Sequence, residues 1–266
     1  MILLGSAFDH VLDTRHWHIF ESIDVGFTLP SFISKFVVLQ LIAAGLIAFL
    51  YIRLAKRIRT GNPPQGWGWN LLESLLTFVR DEVARPSLGD HDTDKYLPFL
   101  WTMFLYIMVN NLLGVVPFMG SATGNILVTG ALALCAVFVI HGAAVLKHGP
   151  LHYFLSYFPH IEAPGGFFIG LFIMFMEIVG QGIKAFVLAV RLFANIFAGH
   201  TVLAVILSFI ALAKNANLLM FGVISIGSTL FIVALSLLEL FVALLQAYVF
   251  TYLTTLFLSA TLHPEH

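Results

Sequence analysis

Charge is what this sequence has least of. Asp, Glu, Lys and Arg make up 10% of its 266 residues, while 59% are hydrophobic. A soluble domain of that length needs a far more polar surface, so a water-dispersed globule is excluded. The few charges nearly balance, 13 basic against 14 acidic, which leaves no basic footprint for nucleic acid. Cysteine is almost absent. The single Cys135 sits in the apolar run Leu132–Ile140, can close no internal disulfide, and reads as a small buried hydrophobe. A signal peptide is lacking too. Asp9, His10, Asp13, Arg15, His16 and His18 follow Met1–Leu4 too closely for an apolar segment of adequate length, and the stretch is not Arg- and Ser-rich like a transit peptide. The expectation is insertion through the first span. There is no internal repeat and no second, polar domain, so residues 1–266 read as one membrane domain.

What is present is a series of apolar segments long enough to span. A membrane helix needs about 20 mostly apolar residues to cross about 30 Å of hydrocarbon. After an outer amino-terminal segment, 1–31, the first span covers 32–53 and ends in Arg53, Lys56, Arg57 and Arg59, followed by the breaker Asn62-Pro63-Pro64. Residues 67–85 do not span. Their apolar residues Trp67, Leu71, Leu72, Leu75, Leu76, Val79 and Val83 recur at helical spacing with polar residues between, the pattern of an amphipathic helix in the membrane interface. The polar stretch Arg85–Lys95 then leads into a helical hairpin over 98–146, joined by a short uncharged loop.

The segment 166–262 is different. Residues 166–213 and 218–262 are apolar stretches of 48 and 45 residues without a proline. As one helix each would be roughly 70 Å long, more than twice the hydrocarbon thickness. Either each folds as two short spans, which leaves turns unsatisfied in lipid, or each is one long helix tilted far from the membrane normal. The tilted hairpin is the preferred reading, since the only breaker cluster, Gly180-Gln181-Gly182, leaves just 14 residues before it. The fold class is therefore an all-α integral membrane protein with about five membrane helices plus an interfacial helix. Lys and Arg counts in the short loops place the amino terminus outside and the carboxyl terminus inside.

Ionisable groups in hydrocarbon are costly and face a bundle interior or a wet cavity. The long stretches carry Glu177, Lys184, Arg191, His200 and Glu239, with Asn195 and Gln246 beside them. Glu177, Lys184 and Arg191 are spaced by seven and Asn195 lies four beyond, so they share one helix face. His200, nine residues after Arg191, falls half a turn away. If the two helices fold back near Ala216–Leu219, residue numbers at equal depth total roughly 437. Arg191 then lies level with Gln246, and His200 within two residues of Glu239.

Plainer roles compete with a pathway. Glu177 and Lys184 either line one or snorkel to the inner interface. His200 and Glu239 either relay protons or pin the hairpin. Asn110 and Asn111 read as interhelical glue rather than pathway. His16, His18, His148, His152 and His160 lack the Cys or carboxylate cluster of a metal site. Arg191 stands apart. Its guanidinium cannot lose its proton, and no acid lies within four residues of it, which calls for a partner elsewhere, including in another subunit.

The run RLFANIFAGH, Arg191–His200, resembles the signature of subunit a of the F-type ATP synthase. LLQAYVF, Leu244–Phe250, resembles the last helix of that family, and NNLLGVVP (Asn110–Pro117), NILVT (Asn125–Thr129), the stretch His16–Asp24 and the short HPEH tail fit it as well. The resemblance covers nearly the whole chain. It implies a non-catalytic stator holding two offset proton half-channels against a rotating ring of c subunits, with b-type peripheral stalk and other synthase subunits as partners and no cofactor. Arg191 would face the ring carboxylates. Asn195, His200, Glu239 and Gln246 would border the outer half-channel, and Glu177 and Lys184 the inner one. Many bacterial members carry an acid at the His200 position and a histidine at the Glu239 position; here the two look exchanged, as in mitochondrial members. The extended polar loops favour a bacterial inner membrane over a mitochondrial one. Two other classes fit less well. A secondary transporter would show repeats and interrupted helices, and a haem-binding bundle would need histidines paired at one depth, where only His141 and His200 lie inside spans.

Overall fold

The computed structural model describes residues 16–18, 26–28, 35–59, 66–115, 121–151, 153, 166–213 and 217–263. The breaker Asn62–Pro64, Pro117, the histidines His152 and His160 and the Lys214–Asn215 connection lie outside them. Two three-residue strands, β1 (His16–His18) and β2 (Gly26–Thr28), pair antiparallel with His16 opposite Thr28 and His18 opposite Gly26. Among the described residues all other regular structure is helical, and five helices are long and apolar enough to cross a membrane. The protein is an all-α membrane protein apart from that small ladder.

Helix α1 (Lys35–Arg59) buries Phe36, Leu39, Ala43, Ile47 and Leu54, spaced three, four or seven apart along one stripe. Helix α2 (Trp67–Phe78) has no fully buried residue; Trp69, Leu72, Leu75 and Leu76 pack partly buried against the core, and Trp67 is exposed. It passes through a π-helical turn, Val79–Ala84, directly into α3 (Arg85–Val115). The polar stretch 85–95 is thus not a loop but helix on both sides of a break at Gly89, whose φ of 74° glycine adopts without strain. Its charges are matched locally: Arg80 pairs with Asp94 at 3.0 Å, and Arg85 with Asp81 at 3.3 Å and with Asp90. Helical backbone thus lies on both sides of Gly89 where hydrophobic periodicity stops. Beyond it, Leu100, Trp101, Phe104 and Ile107 form the buried face of α3.

Helix α4 (Ile126–His148) starts under a side-chain cap, Leu127 N–H donating to Asn125 Oδ1 at 2.9 Å, and stops at Gly149, φ 81°. Its packed face is Thr129, Ala133, Ala136, Ile140 and Ala143. Cys135 falls off that stripe and is exposed. This corrects the expectation of a buried thiol, since an apolar run in a membrane helix has a lipid-facing side as well as a packed one.

Helices α5 (Gly166–Ala213) and α6 (Leu218–Leu262) are single uninterrupted helices of 48 and 45 residues. The second half of α6 forms the core with α3: Ala243, Ala247, Phe250, Thr254 and Leu258 recur at three and four and are buried. Its hydroxyls do not go unsatisfied in this apolar setting. Thr251, Thr254 and Thr255 each donate to the carbonyl four residues back at 2.8–2.9 Å. The first half of α6 and residues 167–187 of α5 bury almost nothing in this chain.

Candidate functional site

One close contact shows the depth at which α5 and α6 meet. A Cβ built on Gly199 would stand 2.6 Å from Glu239 Oε1 and 2.9 Å from its Cδ. Only a residue without a side chain lets that carboxyl lie against the α5 backbone. His200 is the next residue, so the Glu239 carboxyl occupies the turn that carries the imidazole. The numbers of the touching residues total 438, one from the register the sequence suggests.

By that register Arg191 stands level with residue 247, beside Gln246. No hydrogen bond joins them. Gln246 is 4% exposed and packed into the bundle, whereas Arg191 is exposed. Equal depth brings two residues to one level; helical phase decides whether they face each other, and here they do not. Leu188, Leu192 and Ile196 turn inward from α5, while Lys184, Val187, Arg191, Ala194 and Ala198 line its exposed side at three- and four-residue spacing. Arg191 makes no ion pair with any described residue.

Behind this face, α3, α5 and α6 each carry buried polar side-chain atoms. Asn195 Nδ2, Glu239 Oε1 and Gln246 Nε2 are buried without a hydrogen-bond partner, as is Asn110 Oδ1. Each such atom costs roughly 1–3 kcal/mol unless water or an ion satisfies it, so each calls for water beside it. A satisfied chain runs beside them. Ser121 Oγ meets Thr123 Oγ1 at 2.9 Å, Thr123 Oγ1 donates to Asn111 Oδ1 at 2.8 Å, and Asn111 Nδ2 donates to the Ala243 carbonyl of α6 at 3.2 Å. Asn111 is interhelical glue in this literal sense. Ser121 and Thr123 were not singled out by sequence. The signal available was a polar cluster in an otherwise uncharged turn between spans, and Gly114, whose Cβ would strike the Ser121 side chain at 2.6 Å.

Glu177 and Lys184 are not part of this cluster. About 22 Å of helix separates Lys184 from Gly199. Glu177 accepts a hydrogen bond from Gln181 Nε2 at 3.0 Å, and Lys184 Nζ lies 5.4 Å from the Phe257 ring centroid of α6, a cation–π distance.

At the end of the bundle that the charge count assigns to the inside, Lys147 Nζ and His263 Nε2 approach Asp92 Oδ2 at 3.1 and 3.4 Å. Partial burial pushes the Asp92 carboxyl up. The Lys147 hydrogen bond and the charges of Lys147, His263 and His91 outweigh it and hold Asp92 below the usual carboxylate range. His148 Nε2 meets the Leu262 carbonyl at 3.1 Å and Ser259 Oγ donates to the Ser87 carbonyl, so the end of α6 is tied to both α3 and α4. Among the described residues no three His, Cys, Asp or Glu side chains gather in a metal-binding group.

Comparison with known proteins places these features in a family. The profile described as ATP synthase A chain matches residues 37–259. The chain is similar to ATP synthase subunit a of Myxococcus xanthus strain DK1622, at 39% identity over 88% of this chain and 74% of that protein. ATP synthase subunit a 2 of Prosthecochloris aestuarii is 35% identical, over 97% of this chain and 79% of that protein. The subunit a of Chloroherpeton thalassium is 34% identical, over 98% and 78%.

Proposed function

The chain belongs to the ATP synthase A chain family, and from that premise we propose that Arg191 faces the carboxylates of a rotating c-subunit ring and separates two proton half-channels. The coarser role follows from the family itself. The protein is a proton-translocating, multi-pass bacterial membrane subunit of an ATP synthase, and it is not the catalyst, since the ATP chemistry lies in the soluble sector. Its relatives are bacterial, which supports residence in the bacterial inner membrane and gives no support to a mitochondrial one.

One observation carries the finer reading. Arg191 is a permanent cation on an apolar, exposed helix face, without an ion pair among the described residues of its own chain. A charge in that position needs an acid from another subunit. Ala194 and Ala198 on the same face are small enough to let a partner helix approach closely.

The chemistry then runs as follows. A ring carboxylate arriving beside Arg191 is stabilised as the anion, because a nearby opposite charge lowers its pKa. Before it rotates into lipid it takes up a proton, because a bare charge there is expensive. The guanidinium repels protons and blocks a direct leak. Each charge carried across gains about 2.3 kcal/mol per 100 mV, the work that turns the ring. On the outer side, Asn195, His200, Glu239 and Gln246 border the path. Glu239, seated on Gly199 beside His200, is the relay carboxyl, with the imidazole as its neighbour in the relay. Glu177 and Lys184 border the inner path. The peripheral stalk and remaining synthase subunits are the other partners.

Cysteine cross-linking tests the facing. In a chain with Cys135 first changed to Ser, cysteines at Ala194 and Ala198 should couple to cysteines placed beside the ring carboxylate, and one at buried Leu192 should not. Coupling from Leu192 alone would reject this orientation of α5.

A further inference from the structure

The turn between α3 and α4 is buried. Ser121 and Thr123 are both closed off from the surface, and the short helical turn Ala122–Gly124 packs against α5 as well as α3. Its polar side chains form a chain with one possible direction. Thr123 Oγ1 has a single hydrogen and gives it to Asn111 Oδ1 at 2.8 Å, so Ser121 Oγ donates to Thr123 at 2.9 Å. The Ala243 carbonyl can only accept, which fixes Asn111 Nδ2 on it at 3.2 Å and Oδ1 toward Thr123. The order is Ser121, Thr123, Asn111, α6. Hydrogen bonds in series polarise one another in a low-dielectric interior, and the last one uses the spare lone pair of a helical carbonyl, leaving α6 unbroken.

What the chain holds is close to the site. Ala243 is fully buried and stands four residues after Glu239, on the same side of α6. On α5, Gly124 faces Ile196: a Cβ built on Gly124 would lie 3.6 Å from Ile196 Cγ2. Ile196 is three residues before Gly199. One turn of chain thus reaches both helices of the hairpin at a single level, about 5 Å along their axes from the Gly199–Glu239 contact. That contact has no slack, since an added Cβ would stand 2.6 Å from the carboxyl oxygen. A small slide or rotation of α6 would lift the carboxyl off its seat. The other end of the chain is held as tightly, because a Cβ on Gly114 of α3 would strike the Ser121 side chain at 2.6 Å.

We infer that Thr123 is a positioning residue for proton transfer: through Asn111 it holds α6 where the Glu239 carboxyl rests on Gly199. The inference rests on the reading of Glu239 as the relay carboxyl. Thr123 carries no proton along the path; its hydroxyl sets the orientation of the Asn111 amide and so the height of α6.

The test measures ATP-driven proton pumping by the assembled synthase in inverted vesicles, per assembled complex, across a pH series. Such a profile reports the macroscopic pKa values of the working acid and base. A side chain that only added stability would change the amount of complex and leave the profile alone. Thr123→Val keeps the shape and removes the donor. It should slow pumping about tenfold, within the loss that a misplacement of about 1 Å can cause, and move the profile along the pH axis. Thr123→Ser keeps the hydroxyl and should restore both. Should Thr123→Val fail to assemble, Ser121→Ala, which withdraws only the first donor, should still move the profile. An unmoved profile in Thr123→Val, or in Ser121→Ala where that is the variant that assembles, would overturn the inference. So would equal impairment in Thr123→Val and Thr123→Ser, since the hydroxyl would then not be what matters. Glu239→Gln separates this role from the reading beneath it and should stop pumping. Loss there, with Thr123→Val unaffected, strikes the positioning role alone; normal pumping in Glu239→Gln strikes both.

Discussion

Gly199→Ala is the smallest change that reaches the centre of the site. The added Cβ would stand 2.6 Å from Glu239 Oε1, 2.9 Å from Cδ and 3.3 Å from Cγ. Restoring ordinary contact moves the carboxyl by just under about 1 Å, and overpacking of this kind costs roughly 1–3 kcal/mol. Glu239 has little room to yield, being 8% exposed. Assembly should therefore survive while function suffers, because a displacement of about 1 Å at a working group can reduce a rate by about a hundredfold. The assay is ATP-driven acidification of inverted vesicles, followed by a pH-sensitive dye and normalised to assembled complex. Proton pumping should fall about ten- to a hundredfold. The decisive arm is a double-mutant cycle with Glu239→Asp, which withdraws the carboxyl by one methylene. The double variant should pump no worse than Glu239→Asp alone, a non-additive result that marks a direct contact. Normal pumping in Gly199→Ala, or strictly additive losses, would refute the claim that this glycine seats the relay carboxyl.

The remaining expectations concern the His200–Glu239 pair and the Asp92 tie. If His200 and Glu239 work as one unit, the exchange His200→Glu with Glu239→His should keep more proton transport than either single change, and equal loss in all three would count against a shared site. Asp92 is held below its usual pKa, so its contribution to stability is present above the unfolded value of about 3.9 and is lost as pH falls from there through the lower folded value. Asp92→Asn should lower the thermal midpoint of the detergent-purified complex at neutral pH, by a destabilisation of about 1–3 kcal/mol, and flatten the loss of stability below about pH 4. An unchanged midpoint would show that the Asp92–Lys147–His263 tie contributes nothing.

The large architecture could be read from composition because lipid permits so few solutions. Two proline-free stretches too long for a single perpendicular crossing had to be either broken or tilted, and α5 and α6 are unbroken. The register of that hairpin was legible from spacing, and the Gly199–Glu239 contact falls one residue number from it. Facing was not legible. Depth arithmetic sets Arg191 level with Gln246, but which side of a helix meets its neighbour depends on packing by α3, which draws Gln246 inward and leaves Arg191 outside. The stretch 85–95 looked like a connection because its apolar periodicity lapses. Helix lies on both sides of the Gly89 break, with the ion pairs Arg80–Asp94 and Arg85–Asp81 beside it that periodicity does not register. The strands β1 and β2 are three residues each, too short for an alternating pattern to stand out. The Ser121–Thr123–Asn111 chain depends on contacts distant in sequence, which no local pattern encodes.

The role of Arg191 is tested most directly by Arg191→Ala in the otherwise complete synthase, measuring ATP-driven and potential-driven proton movement in membrane vesicles. Loss of both, with the complex still assembled and its soluble sector still hydrolysing ATP, is the expected result. Coupled proton transport that survives the substitution would contradict it, making Arg191 a structural residue and moving the proton path elsewhere.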